Sequence, residues 1–489
     1  MAGRIVADGI GTDGIVSGTD GTVNGAAVTP AALDDLRAIV GHAHVIVDPD
    51  ITASYGTDWT GRYRGEASVV VRPGSTADVA GIVRSCGDRR IAIVPQGGNT
   101  GLVGGAVPAA GQVVLSTQRL GAIRTIDLDA GQATVEAGVP LAVLGAALRA
   151  TGWEFGVDLG ARDTATVGGM VATNAGGIRV LRYGSMRANV VGVEAVLGDG
   201  SVVSRLGGLL KDNTGYDLTG LLCGSEGTLG IITAARLRLV PAWPDRMTVW
   251  VRCDSWHDTQ ALASTIRREI DGIDGLEAVD AAGLALALDV LGIDDPLGPQ
   301  GAPGSRGSMS ADSDAVGLIV EWAGRGAPDA HLAELVGDRP HAVAEDRVGA
   351  ARLWAARERQ AECIAMIGIP HKLDVTVPVE RLADFAAGVR TVIATRWPSA
   401  RLFLFGHVGD GNLHVNVVGP PADDLTVDEL VLRLVAGMDG SISAEHGIGR
   451  AKAQWLHLCR SPEELAAFRA LKLALDPHGI LNPGVLLTT

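Results

Sequence analysis

The sequence predicts a protein of the α+β class that contains more than one structural unit. The chain has 489 residues, enough for two to four units at roughly 150 residues each. Between residues 65 and 241, short β-branched runs bounded by Gly, Pro and Asp alternate with segments of helical spacing, a pattern typical of an α/β unit. Hydrophobic residues make up 47 % of the chain and charged residues 20 %, so the chain can bury a large core.

The first half of the chain contains several well-marked elements. Residues 1–30 are rich in Gly, Thr, Asp and Ala without a sustained period, which predicts a flexible tail, and a short helix is predicted over 31–40. Helical spacing predicts helices at 76–84 and 140–151, and the Gly-Asp-Gly sequence at 198–200 predicts a hairpin turn. Four strands are predicted from β-branched runs, at 69–71, 91–94, 113–115 and 190–193.

The second half alternates strand and helix again. Residues 247–290 show a strand pattern followed by a helical one, and residues 353–358 predict a further helix. The Pro/Gly/Ser-rich residues 294–314 predict a disordered loop. Further strands are predicted at 317–320, 372–378 and 402–405.

Charge and cysteine content exclude several classes of protein. The formal net charge of −15 disfavours nucleic acid and anionic membrane surfaces as partners. Five scattered cysteines without CxxC spacing exclude thiolate zinc, c-type haem and iron–sulfur clusters, and suit reduced thiols in a cytoplasm. The N-terminus lacks the pattern of a signal peptide, and no apolar run reaches the ~18 residues of a membrane span. We therefore expect a cytoplasmic protein without a transmembrane segment.

Glycine is unusually frequent and unevenly placed. The chain has 67 glycines, about twice the average usage of ~7 %. Three segments are especially rich in glycine, at 95–105, 166–177 and 222–232. Without a Cβ, successive backbone N–H groups can converge on an anion such as a pyrophosphate. A plain tight turn is the alternative for the first segment, but three such segments indicate one extended ligand with phosphates and a planar head.

A polar constellation lies in the second half. His407 and His414 flank a Gly-Asp-Gly-Asn sequence, and Asn416 shares a strand face with His414 because the two are separated by two positions. Glu445 and His446 follow within a Gly-rich segment. Two His and one Glu can hold a catalytic divalent metal ion with an open position. A single His is more often a satisfied core residue, but the grouping favours a functional site.

Two cations precede this constellation. Arg357 lies in the predicted helix, and Lys372 begins the predicted strand with Asp374 and Thr376 on the same face. An arginine can grip a carboxylate through two hydrogen bonds, and a lysine adds a second positive charge. Taken singly, each could also be a solvated surface charge.

Six motifs in order resemble one known family. They are PQGGNTGLVGG, TVGGMVATNAGG, GSEGTLGI, GHVGDGNLHVN, SAEHGIG and DPHGILNPG, spread over most of the chain from residue 58 to 484. The chain resembles the FAD-linked oxidases with a flavin domain of the vanillyl-alcohol-oxidase type. Within that family it is similar to the D-2-hydroxyacid dehydrogenase group, whose members oxidise D-2-hydroxyglutarate, D-lactate or glycolate.

The resemblance implies an architecture. An FAD-binding domain of the PCMH type, made of two subdomains, would span residues 31–241, after the tail at 1–30. A substrate or cap domain with a ferredoxin-like antiparallel sheet would span 242–430 and contain the disordered loop at 294–314. A C-terminal helical segment at 431–489 would return to the FAD domain.

The resemblance also implies residue roles. His407, His414 and Glu445 would hold Zn²⁺ or a similar divalent metal. The catalytic residues would be Arg357 and Lys372 on the substrate carboxylate, Asn416 near the metal, and His446 as the base. The residues that would bind FAD are Pro95, Gln96, Gly97, Gly98, Asn99, Thr100, Gly101, Leu102, Thr166, Gly169, Asn174, Glu226, Ile231, Ile232 and Asn482.

Two departures from the family pattern bear on these expectations. Covalently flavinylated relatives carry a His in the pyrophosphate loop, whereas this chain has Asn99, so FAD is expected to be non-covalent. The hydroxyglutarate-specific enzymes carry Thr four residues after the arginine, whereas this chain has Ala361. The missing hydroxyl weakens the assignment of D-2-hydroxyglutarate as substrate.

The expected activity is oxidation of a D-2-hydroxy acid, of the D-2-hydroxyglutarate or D-lactate type, to the 2-oxo acid, with metal assistance and hydride transfer to flavin N5. Electrons would leave to a separate acceptor, an electron-transfer flavoprotein or a quinone, and the enzyme would be a homodimer. The alternatives are a flavin oxidase that uses O2 and a flavin-binding partner subunit without catalytic activity. A flavin-binding subunit without catalytic activity does not need the His, Glu, Arg and Lys residues of the second half, so their presence argues against it.

Overall fold

The structure is a computed structural model that describes residues 27–297, 313–328 and 330–488. Residues 1–26 of the predicted tail and residues 298–312 of the predicted loop lie outside these ranges, so both predictions stay open there. The first helix begins at Pro30, one residue inside the predicted tail. Across the described ranges, none of the helices combines the length and the apolar character that a membrane span requires.

The first sheet has four strands in the order β1-β2-β4-β3. β2, β4 and β3 run parallel, and β1 pairs with β2 in the antiparallel sense. The short strand β2 is apolar and buried throughout, as expected for a parallel strand that is covered on both faces. The strands are β1 Val45–Ile46, β2 Val69–Val71, β3 Ile93–Gln96 and β4 Val113–Ser116, and the helices are α1 Pro30–Val40, α2 Pro49–Thr52 and α3 Thr76–Arg89.

The sequence of helix α3 explains where this helix begins and which face it packs against the first sheet. Ser75 caps its N-terminus by accepting a hydrogen bond from the backbone N–H of Asp78 at 3.1 Å. Val79, Val83 and Cys86 recur at helical spacing and are buried against the sheet. The helix runs five residues beyond the predicted end at residue 84, because this apolar face continues to Cys86.

The second sheet is antiparallel and has six strands in the order β5-β6-β10-β8-β9, with β7 also paired to β10. The predicted hairpin is confirmed, because β8 and β9 pair in the antiparallel sense around it. α4 ends at Leu148, earlier than predicted, since Ala150 and Gly152 both adopt positive φ. The strands are β5 Ile123–Asp127, β6 Gln132–Glu136, β7 Trp153–Phe155, β8 Val190–Val196, β9 Val202–Ser204 and β10 Ile231–Pro241, and the helices are α4 Leu141–Leu148, α5 Val167–Thr173, α6 Val180–Tyr183, α7 Met186–Asn189 and α8 Leu218–Leu222.

The third sheet has seven antiparallel strands in the order β14-β11-β13-β12-β16-β17-β15. The antiparallel sheet expected for the second half is therefore confirmed. Its strands are β11 Asp245–Cys253, β12 Ile273–Asp280, β13 Val316–Gly324, β14 His341–Ala344, β15 His371–Thr376, β16 Arg401–His407 and β17 Asn412–Val418. Its helices are α9 Trp256–Glu269, α10 Ala281–Leu291, α11 Ala330–Val336, α12 Arg347–Glu358, α13 Gln360–Ala365, α14 Leu382–Arg396 and α15 Thr426–Ala436.

The two faces of the third sheet are covered differently. One face packs against α9, α14 and α15, whose Leu262, Phe385 and Val431 share a large apolar cluster with the strands. The other face carries α10, α12 and α13 over Phe403 and Phe405. These helices cover only part of that face, which leaves room for polar side chains beside them.

The chain end returns to the first sheet. After α16 (Pro462–Leu475), the buried carboxylate of Asp476 accepts hydrogen bonds from the N–H groups of Ile480 and Leu481 at 3.1 and 2.9 Å. Leu481 then forms a parallel bridge with Ile93 in β3. β10 ends at Pro241 and β11 begins at Asp245, close to the first predicted domain boundary. The division at residues 241/242 and 430/431 stays a prediction.

Candidate active site

Strand register gathers polar side chains on the less covered face of the third sheet. Residues directly opposite one another in neighbouring antiparallel strands point to the same face, and alternate residues along a strand do too. β12, β16, β17 and β15 are adjacent strands, and each contributes polar residues to this face. The opposed pairs are Glu277 with His407, His414 with Asp374, and Asn416 with Lys372.

Three imidazoles surround one carboxylate oxygen. Glu445 Oε1 lies 3.3 Å from His407 Nε2, 3.8 Å from His414 Nε2 and 3.7 Å from His446 Nε2. The rings of His414 and His446 are stacked, with centroids 5.4 Å apart. Imidazole nitrogens and carboxylate oxygens are donors that zinc and similar divalent ions accept. The structure thus brings together the three residues predicted to hold a metal, with both imidazoles within 3.8 Å of one Glu445 oxygen.

Glu445 also connects this cluster to the first half of the chain. Its second oxygen, Oε2, accepts a hydrogen bond from the backbone N–H of Gly177 at 2.7 Å. A Cβ at the neighbouring Gly176 would lie 2.9 Å from the same oxygen. The glycines at this point therefore allow the carboxylate to approach the backbone closely, and Oε1 is left facing the imidazoles.

Asp374 is a buried carboxylate whose role the sequence did not reveal. It accepts hydrogen bonds from the backbone N–H groups of Glu445 and His446 at 2.8 and 3.0 Å. Donor atoms of Asp374, His414, Glu445 and His446 all lie within 4.8 Å of one another. Because the Asp374 oxygens are already bonded to loop amides and to Asn412 Nδ2 at 2.8 Å, we interpret Asp374 as a residue that orients the cluster.

Glu277 is the second carboxylate that sequence analysis missed. It lies in β12 and is 0 % exposed. One of its oxygens contacts His407 Nδ1, and the other lies 2.7 Å from Arg357 Nη2. The available signal was an acidic residue inside the apolar run Gly-Leu-Glu-Ala-Val, in a strand that also contains Asp274 and Asp280.

Both predicted substrate-binding cations border the cluster. Arg357 is 8 % exposed, so it is not a solvated surface charge, and its guanidinium lies 4.8 Å from the centre of the Phe405 ring. Lys372 Nζ lies 5.0 Å from the centre of the Trp59 ring, which belongs to the first half of the chain. Burial lowers the pKa of Lys372 to about 8. Lys372 is therefore held where the two halves meet, whereas Arg357 is held by residues of the third sheet.

Asn416, a further predicted catalytic residue, has polar atoms without hydrogen-bond partners. Asn416 is 1 % exposed, and its Oδ1 and Nδ2 have no hydrogen-bond partner within the described part of the chain. An unpaired buried amide costs free energy, so it indicates a ligand that is bound during function.

Burial lowers the pKa of His446 to about 4. Its imidazole is therefore neutral near pH 7 and able to accept a proton.

The first glycine-rich segment forms a cradle next to β3. Within the described ranges, no backbone N–H of residues 97–102 donates a hydrogen bond to the protein. A Cβ at Gly98 would lie 1.8 Å from the carbonyl oxygen of Thr164, and one at Gly97 would lie 2.3 Å from Thr166 Oγ1. The glycines allow this close approach, and the free amides fit the pyrophosphate of a dinucleotide.

Thr166 and Gly169 line the same gap. Thr166 precedes α5, and its Oγ1 is buried without a partner among the residues described. A Cβ at Gly169 would lie 3.4 Å from that hydroxyl. Asn99 adopts a φ of +53°, and its Nδ2 donates to the Thr57 carbonyl at 2.9 Å. The gap between the two glycine-rich segments therefore carries unsatisfied polar atoms, as a cofactor site would.

Other predicted FAD residues connect segments of backbone. Glu226 accepts hydrogen bonds from the N–H groups of Ile448 and Gly449 at 2.8 and 2.7 Å. Asn482 Nδ2 donates to the carbonyls of Gly105 and Glu226 at 2.9 and 2.8 Å, while its Oδ1 has no partner in the described chain. These contacts join the loop that carries Glu445 and His446 to the glycine cradle.

The remaining predicted FAD residues lie in or next to well-packed elements. Gln96 Nε2 donates to the Tyr55 and Ala106 carbonyls, both at 3.0 Å. Asn174 ends α5 in the left-handed region and accepts from the Arg187 N–H at 2.9 Å. Ile231 and Ile232 in β10 are buried in two different apolar clusters. Pro95 is part of β3, and Thr100, Gly101 and Leu102 follow it in the cradle.

Comparison with solved structures shows the class of fold. A 4-ethylphenol oxidase from Gulosibacter chungangensis, in an isoeugenol complex, aligns with a TM-score of 0.72 at 19 % sequence identity, covering 94 % of this chain and 96 % of that one. The expected PCMH-type flavoprotein fold, with its antiparallel sheets, is confirmed.

Sequence comparison shows the family. Residues 67–205 match the family described as FAD binding domain, and residues 244–486 match FAD linked oxidases, C-terminal domain. The chain is 38 % identical over 475 residues to the mitochondrial D-2-hydroxyglutarate dehydrogenase of Bos taurus, covering 93 % of this chain and 84 % of the relative. It is 34 % identical over 482 residues to the D-2-hydroxyglutarate dehydrogenase of Xanthomonas citri pv. viticola, covering 94 % and 98 %.

The chain belongs to the FAD-linked oxidase family. The resemblance to the D-2-hydroxyacid dehydrogenase group and the expectation of an FAD-linked enzyme are confirmed.

Proposed function

We propose that this protein oxidises a D-2-hydroxy acid to the 2-oxo acid, with non-covalently bound FAD and a divalent metal ion. The observation that carries the proposal is the grouping of Glu445 and three imidazoles on a sheet face that also carries buried Arg357 and half-buried Lys372. A flavin-binding subunit without catalytic activity would have no use for this grouping. The polar atoms left unpaired at Asn416 and Thr166 support the binding of ligands there.

The residues of the chain have separate tasks in this proposal. Arg357 and Lys372 bind the substrate carboxylate and orient C2. His446, neutral near pH 7, takes the proton of the 2-hydroxyl group. Zn²⁺ or a similar ion, held by His407, His414 and Glu445, would stabilise negative charge on that hydroxyl oxygen. FAD, when bound, supplies at N5 the acceptor for the hydride from C2.

Asn416 adds a polar contact for the substrate. Its amide stands opposite Lys372 across the β15–β17 pair and has no partner among the residues described. It can donate to a carboxylate oxygen or accept from the hydroxyl group. Either contact would satisfy an amide that is otherwise buried and unpaired.

D-2-hydroxyglutarate is the first candidate substrate, because it is the compound named in the relatives. D-lactate is the second candidate, and Ala361 favours it. Ala361 lies in α13, which directly follows the helix of Arg357, and it offers no hydroxyl for a second carboxylate. A panel of D-2-hydroxy acids with an artificial dye acceptor, followed by bleaching of the oxidised flavin, ranks the substrates.

We predict that Ala361→Thr shifts this ranking towards D-2-hydroxyglutarate. The added hydroxyl can pair with a distal carboxylate, and one hydrogen bond to a charged group contributes about 1.5–3 kcal/mol. We expect the ratio of kcat/KM for D-2-hydroxyglutarate over D-lactate to rise about tenfold or more. Ala361→Ser is the smaller matched change, and Ala361→Val, which adds bulk without a hydroxyl, should not produce the rise. An equal effect of Thr and Val would contradict the prediction.

We further propose that the enzyme is a dehydrogenase that delivers its electrons to a separate electron-transfer flavoprotein or quinone. Stopped-flow reoxidation of the reduced flavin in air tests this against an O2-using oxidase, since an oxidase reoxidises within its turnover time. We also propose that the protein is cytoplasmic, because its five cysteines are free thiols. A homodimer is proposed as its oligomeric state. Light scattering on the purified protein tests the oligomeric state.

A further inference from the structure

The side chain of Glu277 is a carboxylate buried against the third sheet. It is 0 % exposed and lies in β12 between Leu276 and Ala278, which are both buried in the large apolar cluster on the other side of the sheet. A buried carboxylate costs several kcal/mol unless it is paired on all sides. The partners of Glu277 therefore indicate why it is kept.

One partner is the candidate metal ligand His407. Glu277 Oε1 contacts His407 Nδ1, and the opposite ring nitrogen, Nε2, lies 3.3 Å from Glu445 Oε1. A carboxylate on one imidazole nitrogen fixes the tautomer and the ring orientation, and it makes the other nitrogen a stronger metal donor. Glu277 thus determines which nitrogen of His407 faces the cluster.

The other partner is the cation proposed to bind the substrate. Glu277 Oε2 lies 2.7 Å from Arg357 Nη2, and the guanidinium is held over Phe405 at the same time. Arg357 Nε is buried and has no partner in the described chain. The ion pair therefore fixes the guanidinium while leaving a donor free for another carboxylate.

We propose that Glu277 is a positioning residue that couples the metal ligand His407 to the carboxylate-binding Arg357. The inference rests on the proposed function, because it takes its two partners from that site. One carboxylate shares its charge between an imidazole and a guanidinium. When Arg357 also binds another anion through its free Nε, its attraction for Glu277 is weaker and Glu277 interacts more strongly with His407, so binding at the two positions is linked in both directions.

The first test measures Zn²⁺ binding rather than turnover. The FAD-loaded protein is stripped of metal and titrated with Zn²⁺ in competition with a chromogenic chelator. For Glu277→Gln, which keeps the shape but removes the charge, we expect affinity to fall about 10- to 100-fold. Glu277→Asp should recover part of the loss. Glu321→Gln is the matched control, a carboxylate in the adjacent strand β13 that hydrogen-bonds Thr248 and Trp354, and it should bind Zn²⁺ like the wild type.

The second test isolates the coupling. Arg357 is not a metal ligand, so Arg357→Gln changes Zn²⁺ affinity through Glu277 and by removing direct charge repulsion. We expect this variant to bind Zn²⁺ several-fold more tightly than the wild type. The same substitution in the Glu277→Gln background should have a clearly smaller effect, and the difference, measured as a double-mutant cycle, is the part that acts through Glu277. An equal effect of Arg357→Gln in both backgrounds would overturn the coupling.

The outcomes separate this inference from the proposed function. If the wild type takes up no Zn²⁺ or similar ion in a one-to-one ratio, the metal site itself is wrong. If the wild type binds one ion and Glu277→Gln binds it within twofold of the same affinity, the positioning role is wrong and the site stands. Thermal unfolding of the metal-free variants checks folding. We expect Glu277→Gln to lose stability, because Arg357 is left buried without its charged partner, so Zn²⁺ affinity is compared at a temperature at which every variant is folded.

Discussion

Individual side chains in the site are distinguished by atoms that the protein leaves unpaired. Asn416, Arg357 Nε and Thr166 Oγ1 are all buried without partners within the described ranges. Folded proteins pair nearly all such groups, and each exception costs free energy. Asn416 and Arg357 belong to the third sheet and the helices on it, and Thr166 lies beside the glycine cradle. Their unpaired atoms are consistent with the two ligands of the proposed function, a carboxylate at the sheet and a cofactor at the cradle.

The first prediction at this scale concerns His446. We expect His446→Asn to slow flavin reduction by about 10²- to 10⁴-fold, because no neutral imidazole remains to take the hydroxyl proton. The bound FAD should be retained, since His446 is not part of the glycine cradle. Single-turnover stopped-flow reduction measures the rate, and His457→Asn, an exposed histidine outside the site, is the control. Reduction of His446→Asn at the wild-type rate would show that the base is another group.

Lys372 provides a prediction about pH. Burial lowers its pKa to about 8, so the ammonium is present below that pH and lost above it. We expect KM for the acid substrate to rise as the pH increases through about 8, since a neutral amine no longer attracts the carboxylate. Lys372→Arg keeps its charge throughout this range, so its KM should stay flat. The pH profiles of both enzymes, taken with the same substrate, provide the comparison.

At the scale of helices and strands, periodicity predicted many of the elements that carry the site. Alternation predicted that His414 and Asn416 share a face of one strand and that Lys372 and Asp374 share a face of a second strand. The structure confirms both pairs, in β17 and β15. Their assembly into one cluster depends on the order β12-β16-β17-β15. That order is set by long-range pairing, which local periodicity does not contain. The expectation that these residues act together came from the resemblance of the sequence motifs to a known family.

Glu277 and Asp374 show why part of the site could not be predicted. Asp374 acts through backbone N–H groups of Glu445 and His446, some 70 residues away, and every residue type has such a group. Glu277 is one of three acidic residues in β12, so the strand sequence does not single it out, and its partners come from β16 and α12. Only the folded chain shows that these carboxylates have partners.

The glycine cradle gives a prediction at the element scale. A Cβ at Gly98 would overlap the backbone carbonyl of Thr164, whereas a Cβ at Gly101 would meet nothing within 4 Å. We expect Gly98→Ala to destabilise the protein by about 1–3 kcal/mol and to lower its FAD content. Gly101→Ala should leave stability within about 0.5 kcal/mol of the wild type. Flavin absorbance per protein and thermal unfolding measure both. Equal behaviour of the two variants would contradict the cradle geometry.

For the molecule as a whole, buried ion pairs join the two halves. Arg62 from the first half makes two hydrogen bonds of 3.1 Å to Asp428 in α15, and His371 Nδ1 lies 2.7 Å from the same carboxylate. Elsewhere Arg179 and Arg182 of the first half both contact Asp274 in β12. Since Lys372 follows His371 directly, the first of these contacts also fixes the strand that carries it.

Asp428 gives a prediction for the stability of the whole molecule. Although burial opposes it, the hydrogen bond from His371 and the charge of Arg62 hold the pKa of Asp428 below its usual range. The lowered pKa stabilises the fold at pH values above the unfolded-state value of ~3.9, and this contribution is lost as the pH falls through the folded-state pKa. We expect Asp428→Asn to cost about 3–5 kcal/mol at pH 7, because Arg62 is left buried without its partner.

Denaturant unfolding of the wild type and of Asp428→Asn from pH 7 down to pH 3 checks this. The difference between the two proteins should shrink below about pH 4. A difference that stays constant with pH would show that Asp428 acts through packing alone. Asp423→Asn, which changes a carboxylate in the preceding turn outside this ion pair, is the control.

The return of the chain to β3 has a consequence for biosynthesis. Asn482 and Leu481 are among the contacts that complete the cradle, and both lie far along the polypeptide. The ribosome must therefore have reached at least residue 482 before these contacts can form. We expect a chain cut off before residue 481 to retain less FAD than one that contains these residues, because its cradle lacks the contacts. Flavin absorbance per protein measures the difference.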